Sequence, residues 1–266
     1  MVSRKLAFAS GVLIIASIQF HQFYIAKAQE VTVNVMISGG FSAAYKDLVP
    51  GYERMTKNRV ATVRGGSLGN SPNSIPSRLQ RDEPADVIIV AGEALDAFIK
   101  QGKVIAGTRV DLARSRIGLA VRAGAPKPDI SSVEAFKRAL LAAKSVAYSG
   151  STSGVYLSTE LFQRLGIADQ MKDKSKKIVG EPTGAAVARG EAEIAIQQIS
   201  ELLPVPGIDY VGPLPSEIQK VTIYAAGIAS GSKEPDAAKA LIKFLASPAA
   251  APAITKSGLE PMTLAK

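Results

Sequence analysis

The order of apolar and polar positions predicts that strands and helices alternate along this chain. A β-branched, alternating run from Val31 to Ile37 stops at a Ser-Gly-Gly turn, and apolar residues then recur at helical spacing from Tyr45 to Met55. Alternation with a period of two indicates a half-buried strand, whereas spacing of three and four residues indicates a helix with one buried face. The first unit is therefore predicted to be a strand, a glycine turn and a helix.

The same pattern recurs to the end of the chain. Residues 85–91 form a continuous apolar run, which is typical of a strand buried on both faces of a parallel sheet. Ser131 and Glu134 predict a capping box at the start of another helix. Shorter runs predict strands at 60–63, 117–121, 145–148, 178–179, 192–197 and 221–228, and helices at 93–101, 155–165, 183–190 and from 235 onward. We interpret the proline-rich stretch 204–215 as a connection. This alternation predicts an α/β fold of two doubly wound series, each mostly parallel.

The first 28 residues are predicted to be a secretory signal peptide. Arg4 and Lys5 supply a basic start, an uncharged apolar stretch follows as far as Phe20, and Ala26–Ala28 provides a cleavage site of the A-x-A type. The apolar stretch is short for a helix that spans a membrane. We therefore expect an exported, periplasmic protein that is cut after Ala28.

The content of cysteine and histidine excludes several kinds of chemistry. The chain has no cysteine, and its one histidine, His21, lies in the predicted leader. The remaining chain therefore has no disulfide, no Ser-His-Asp triad and no histidine ligand for a metal. We expect neither a metal nor a cofactor.

The net charge favours a small anion as the partner. The chain has 32 basic and 23 acidic residues, and the predicted leader carries three of the basic ones and no acidic one, which leaves +6 of the full charge of +9. One basic cluster, 172–177, is interpreted as solvated surface, and no basic stripe is interleaved with aromatic residues, as nucleic-acid binding would need. A mildly basic exported protein is better suited to attracting small anions.

Glycine- and hydroxyl-rich stretches follow three of the predicted strands. The first turn of a helix has unpaired backbone N–H groups and partial positive charge, so a strand-to-helix corner of this composition is suited to an anion. Ligands bind at the carboxyl ends of strands in open α/β sheets. These stretches supply most of the candidate ligand-binding residues: Ser38, Gly39, Gly40, Phe41, Ser42, Arg64, Gly66, Ser67, Tyr148, Ser149, Ser151, Thr152 and Ser153.

The order of several short motifs resembles the periplasmic molybdate-binding proteins of ABC transporters. The motifs are GGFSAAYKDL at 39–48, the segments 78–87 and 154–167, ARGEAEIAI at 188–196, and SPAAAPAITKSG at 247–258. The resemblance implies the two-lobed type II solute-binding fold, with one lobe from 29–112 and 218–266, the other from 113–217, and two crossover strands as the hinge. It also implies a monomer whose partners are a small anion and an ABC permease.

The resemblance further implies that hydroxyls and backbone N–H groups hold the anion. The serine of the family's first corner falls at Gly40, so Ser38 and Ser42 are the nearby substitutes, and the family's tyrosine falls at Gln198, or at Gln197 if the register slips by one. The second serine falls within 66–71 and the next contact near 151–153. These departures favour an organic carboxylate over molybdate, and Arg64 is a candidate partner for it.

Two functions remain open at this stage. The chain is similar to exported bacterial aconitate isomerases as well, through its GGF corner and its glutamine-bearing strand. These enzymes interconvert cis- and trans-aconitate by moving an allylic proton, for which this chain offers Tyr148, Glu181 or a lysine as the base. The first hypothesis is a receptor that captures an oxyanion or a tricarboxylate for a transporter, the second is an isomerase, and a structural envelope protein fits poorly.

Overall fold

The computed structural model describes residues 30–262, so the predicted signal peptide lies outside the described residues. The strands are β1 Thr32–Ser38, β2 Arg59–Gly65, β3 Val87–Ala91, β4 Val110–Ser115, β5 Ile117–Arg122, β6 Val146–Ser149, β7 Ser175–Ile178, β8 Ile194–Gln198, β9 Ile208–Pro213, β10 Thr222–Ile228 and β11 Glu260–Pro261. The α-helices are α1 Gly39–Thr56, α2 Ile75–Gln80, α3 Gly92–Lys100, α4 Val133–Ala142, α5 Thr152–Tyr156, α6 Phe162–Arg164, α7 Ala168–Met171, α8 Thr183–Ala188, α9 Ile199–Leu202, α10 Pro235–Leu245 and α11 Ala251–Lys256.

These strands form two sheets, which confirms the predicted two-lobed α/β architecture. The first sheet has the order β11-β4-β10-β3-β1-β2, and the second has the order β7-β6-β8-β5-β9. Strands β1, β2 and β3 are parallel, as are β6, β7 and β8, while β10 and β5 pair antiparallel with both of their neighbours. Each sheet is therefore mixed, and its parallel strands are the ones followed by the glycine- and hydroxyl-rich turns that are suited to an anion.

The chain passes between the two sheets twice. The first passage lies between Ser115 and Ile117, and the second between Pro213 and Thr222. Ser115 Oγ donates a hydrogen bond of 2.6 Å to Gln198 Oε1, and Gln198 Nε2 donates one of 3.0 Å to Thr222 Oγ1. One buried amide thus connects the two passages at the junction of the lobes.

The sequence pattern was accurate for the buried elements. Every residue of β3 is buried, as its continuous apolar run predicted, and Tyr45, Leu48 and Tyr52 of α1 pack into the core of the first lobe. The assignment of Met55 to that face is wrong, because this side chain is 64% exposed in the last turn of α1. The helix continues beyond the core that its first four turns cover.

Several elements differ from the sequence prediction. Strand β4 was not predicted, and β9 lies inside the proline-rich stretch that was interpreted as a connection. The cap of α4 is Ser132, whose Oγ accepts from the Ala135 N–H at 3.2 Å, rather than Ser131. The helix expected from 155 begins at Thr152 and continues through a π-helical turn, Leu157–Leu161.

Within residues 30–262, no single helix has the length and apolar character needed to cross a membrane. One pair of helices joined by a bend, Pro235–Leu245 and Pro248–Lys256, reaches that length and apolar character when the two are taken together. Leu241 and Ile254 of this pair are fully buried in the core of the first lobe.

Candidate functional site

A cavity of about 510 Å³ lies between the two sheets. It opens at the carboxyl ends of the parallel strands of both sheets, β1 and β2 in the first and β6, β7 and β8 in the second, where ligands bind in this class of sheet. The structure brings together there the predicted residues Ser38, Gly39, Gly40, Ser42, Arg64, Gly66, Ser67, Ser149, Ser151, Thr152, Ser153 and Gln198. Residues from both lobes therefore line one space.

Phe41 and Tyr148 do not line this cavity. Phe41 is fully buried in the core of the first lobe, since the helical rotation at the start of α1 turns it away from its glycine neighbours. Tyr148 packs beside the core of the second lobe, because successive side chains of β6 point to opposite faces and its neighbour Ser149 takes the cavity side. Tyr148 was also a candidate base, and its position removes it from that role.

The hydroxyls of the two facing corners are only partly engaged within the protein. Ser42 Oγ donates to the Ser38 carbonyl at 3.1 Å, and Ser67 Oγ accepts from the Ala91 N–H at 3.0 Å. The buried hydroxyls of Ser38 and Thr152 have no hydrogen-bond partner within residues 30–262. Ser38 comes from the first lobe and Thr152 from the second, so an anion between the lobes can satisfy both.

Two glutamines at the end of β8 have separate roles. Both line the cavity, but the Gln198 amide is already bonded to Ser115 and Thr222 at the junction of the lobes. Gln197 Oε1 accepts from the N–H and the hydroxyl of Thr183, both at 2.8 Å. Gln197 also lowers the pKa of the nearby Glu201 carboxyl, so this glutamine, unlike Gln198, acts on a titratable group of the cavity.

Glu201 lines the cavity, and sequence reasoning missed it. Ile199 and Leu202 of the short helix α9 are buried, which leaves Ser200 and Glu201 facing α1 of the other lobe. Ser200 Oγ donates a hydrogen bond of 2.6 Å to the Gly40 carbonyl, and a Cβ placed on Gly39 would lie 2.0 Å from Glu201 Oε1. Glycine at position 39 therefore provides the space for this carboxylate.

Burial raises the pKa of Glu201 to about 7, against a smaller lowering by the neighbouring Gln197 amide. A carboxyl group so placed is divided between its acid and base forms near neutral pH, which suits proton transfer. Glu181 also lines the cavity, but its hydrogen bonds to Arg189, at 2.6 and 2.9 Å, hold its pKa below the usual range. Glu201, rather than the predicted candidate Glu181, has the properties of a base.

Tyr224 occupies the space beside Gly40. A Cβ placed on Gly40 would lie 2.0 Å from both the Cζ and the Oη atoms of Tyr224, a residue of β10 that also lines the cavity. Burial and the nearby Glu201 charge raise the pKa of Tyr224 well above its ordinary value. The phenol therefore keeps its proton at neutral pH and remains a hydrogen-bond donor.

Three basic side chains line the cavity without a carboxylate partner in the described part of the chain: Lys46, Arg64 and Lys177. They are exposed, and they come from both lobes. They favour a ligand with several negative charges. Over residues 30–262, no cluster of three or more histidine, cysteine, aspartate or glutamate side chains is arranged to hold a metal ion.

Sequence comparison extends over almost the whole chain. A family model described as "Bacterial extracellular solute-binding protein" matches residues 33–260. This chain is a bacterial extracellular solute-binding protein by family. Within this family, it is 46% identical over 262 residues to a Pseudomonas protein named "Aconitate isomerase", which covers 98% of each chain. It is also 26% identical over 244 residues to the molybdate-binding protein of Azotobacter vinelandii, covering 87% of this chain and 90% of that one.

Two solved structures have the same fold as this chain. The periplasmic molybdate-binding protein of Azotobacter vinelandii superposes with a TM-score of 0.70 at 17% identity, over 88% of this chain and all of the other. PEB3 with bound L-phospholactate gives a TM-score of 0.64 at 18% identity, over 86% of this chain and 99% of the other. These likenesses confirm the type II fold of this solute-binding protein.

Proposed function

We propose that this protein is an aconitate isomerase that transfers an allylic proton without a cofactor, and that Glu201 is its base. The observation that carries the proposal is the Glu201 carboxylate, which lines the cavity against Gly39 and has a pKa of about 7. A protein that only captures an anion gains nothing from a carboxylate at its binding site, because like charges repel. The 46% identity to a protein named aconitate isomerase supports the same assignment.

The substrate class follows from the charges around the cavity. Aconitate carries three carboxylates, and Lys46, Arg64 and Lys177 are three cations that line the cavity without a partner of opposite charge in residues 30–262. The unpartnered hydroxyls of Ser38 and Thr152 add donors from opposite corners. A cavity of about 510 Å³ has room for a molecule of this size.

The reaction requires one proton to leave carbon and one to return. Glu201 removes a proton from the methylene carbon of aconitate, and the electron pair of that C–H bond spreads over the three-carbon allyl unit and into the attached carboxylates. Glu201, now protonated, delivers the proton to the former vinylic carbon. The double bond has then moved by one carbon, the composition is unchanged, and Glu201 is again ionised.

The test begins with the purified protein and cis-aconitate alone. We expect trans-aconitate to accumulate beyond one equivalent per protein until equilibrium, and we expect solvent deuterium to enter the allylic positions in D₂O. The Glu201→Gln variant should lose at least 10²-fold in kcat, because the base is removed while the shape is kept. Glu181→Gln is the matched control, since it removes a carboxylate from the same cavity that is already paired with Arg189. Equal activity of wild type and Glu201→Gln would contradict the assignment of the base.

A second candidate function is a receptor that delivers a carboxylate to an ABC permease. The family match over 33–260 and the two-lobed cleft favour it. This function predicts one-to-one binding of aconitate or citrate with no turnover, measured by calorimetry and chromatography in the same experiment. In either case we propose that the protein acts as a monomer in the periplasm, as the predicted leader and the family resemblance imply.

A further inference from the structure

Gly40 has no side chain, and the hydroxyl group of Tyr224 occupies the space that a side chain at this position would fill. A Cβ on Gly40 would lie 2.0 Å from Tyr224 Oη and 2.4 Å from Tyr224 Cε2, distances that real contacts do not reach. The phenol of Tyr224 therefore fills the volume that a side chain at position 40 would need. The hydroxyl that a serine at this position would supply is replaced by one from β10.

The Tyr224 hydroxyl is available to a ligand. Tyr224 lines the cavity although only 3% of the residue is exposed, and none of the hydrogen bonds found within residues 30–262 uses its hydroxyl. The hydroxyl oxygen is not one of the sealed atoms without a partner in the described residues, so it is open to the cavity, where a ligand can accept its hydrogen bond. Its ring is held by the core of the first lobe, which fixes the direction of the O–H group.

The base and the donor lie over consecutive residues. Glu201 Oε1 lies beside Gly39, and Tyr224 Oη lies beside Gly40, at the N-terminus of the 18-residue helix α1. Glu201 comes from the second lobe and Tyr224 from the first. A substrate in the cavity can therefore meet, at one corner, a carboxylate from one lobe and a phenol from the other.

We infer that Tyr224 is a catalytic residue, whose phenol donates a hydrogen bond to the substrate carboxylate that receives negative charge when Glu201 removes the allylic proton. This inference rests on the proposed isomerase function. The phenol keeps its own proton throughout, so the only proton transferred is the one that Glu201 carries between the two carbons. The hydrogen bond from the phenol strengthens as negative charge develops on the dienolate. The phenol therefore lowers the activation barrier more than it tightens substrate binding.

The variant Tyr224→Phe tests this inference because it removes one oxygen atom and keeps the ring. We expect kcat to fall by about 10² to 10³-fold, as for the loss of a donor to a developing oxyanion, with less than a tenfold change in affinity. Affinity is measured with tricarballylate, the saturated analogue, which has no allylic system to isomerise. Tyr210→Phe is the control, since Tyr210 is half-buried in β9 away from the cavity lining and should retain wild-type kcat.

A pair of further variants tests the position of the hydroxyl. Tyr224→Ala should lose activity, and adding Gly40→Ser to it should restore at least tenfold, because the space for the serine is then free. Gly40→Ser alone should be inactive, since its Cβ meets the phenol. Wild-type kcat in Tyr224→Phe would overturn the inference and leave the isomerase intact. If wild type shows no turnover, the proposed function fails, and the role of Tyr224, which rests on it, fails with it.

Discussion

Glu201 is held in a place where its charge is costly to the fold. Folding raises its pKa from the ordinary value of 4.5 to about 7, so the native protein binds more protons than the unfolded chain between these two pH values. Stability therefore falls as the pH rises through this window, by about 3 kcal/mol in total. A base with this pKa is obtained at the expense of stability.

This cost predicts opposite effects of Glu201→Gln on stability and on activity. Above pH 7 the variant should be more stable than wild type by up to about 3 kcal/mol, and below pH 4.5 the two should be equal, since both side chains are then neutral. Urea unfolding at pH 8 and pH 4 measures the difference. In wild type, kcat/KM for aconitate should rise with pH through about 7, because only the ionised carboxylate accepts a proton. A flat rate profile from pH 5 to 8 would exclude Glu201 as the base.

The pKa of Asp86 is shifted in the opposite direction from that of Glu201. Burial alone would raise its pKa, but hydrogen bonds from the Asn34 N–H, the Ser232 hydroxyl and the N–H groups of Lys233 and Glu234 together hold the pKa below its ordinary value. Its contribution to stability is therefore present at neutral pH and is lost as the pH falls below the ordinary range of aspartate.

Asp86→Asn should lower the free energy of unfolding at pH 7 by about 2 to 4 kcal/mol, because an amide nitrogen would face donors that now have an acceptor. The difference from wild type should shrink on acidification towards pH 3. Thermal or urea unfolding measures both values. Asp129→Asn is the control, since Asp129 is exposed and should change stability by less than about 0.5 kcal/mol. Equal losses in the two variants would contradict this account.

Among the elements, the contact between α1 and α9 brings the two lobes together. The Ser200 hydroxyl bonds to the Gly40 carbonyl at 2.6 Å, and both residues are buried. Leu202 of α9 packs into the core of its own lobe, whereas Ser200 and Glu201 reach the start of α1. This short helix therefore connects the lobes and carries the candidate base.

Ser200→Ala should weaken the binding of tricarballylate about fivefold, because the loss of one buried hydrogen bond between the lobes costs the closed form about 1 kcal/mol. Calorimetry measures the affinity. Ser247→Ala removes a similar hydrogen bond, from Ser247 Oγ to the Phe244 carbonyl at 2.7 Å, but within one lobe, and should leave the affinity unchanged. The same weakening in both variants would show that the bond between the lobes has no special role.

The elements also show what a sequence pattern can and cannot predict. The corner at Ser38 and the buried strand β3 were predicted because turn chemistry and apolar runs are local signals. Glu201 was missed because its role depends on how α9 packs against a helix 160 positions earlier in the chain. One local signal was available: an acidic residue stands three positions after the last residue of β8, near the carboxyl end of the strand, where ligands of α/β sheets bind.

The glycines at 39 and 40 show the same limit. Their flexibility suggested a close approach of ligand to backbone, but the structure fills the space above them with the side chains of Glu201 and Tyr224. The sequence therefore shows that positions 39 and 40 lack side chains, but it does not show that Glu201 and Tyr224 fill the space. Only the tertiary arrangement of α9 and β10 identifies them.

At the scale of the whole molecule, the two lobes approach each other closely at the cavity. The glycine-rich loop 65–71 of the first lobe approaches the corner of the second lobe, where a Cβ on Gly66 would lie 3.5 Å from Ser151 Oγ. The lobes are joined by two chain passages and the Gln198 amide, and we expect them to rotate about that junction when a ligand binds.

X-ray scattering in solution should therefore give a larger radius of gyration without ligand than with saturating tricarballylate. At one hundred times its dissociation constant, the same ligand should stabilise the fold by about 2.7 kcal/mol by mass action, measured as a rise in Tm. Sulfate at equal ionic strength controls for screening of the positive charge. A radius that does not change while Tm rises would show that binding occurs without rotation of the lobes.

The hydrogen bond from Ser200 to Gly40 also bears on how fast such a protein can work. A receptor gains from a long residence time, since its cargo must survive the journey to a membrane partner. A catalyst on the same scaffold must reopen once for every product molecule, and the rate of reopening then sets a ceiling on kcat however fast the proton moves. One serine hydroxyl, 2.6 Å from a carbonyl across the cleft, is thus a point at which the lifetime of the closed state can be tuned.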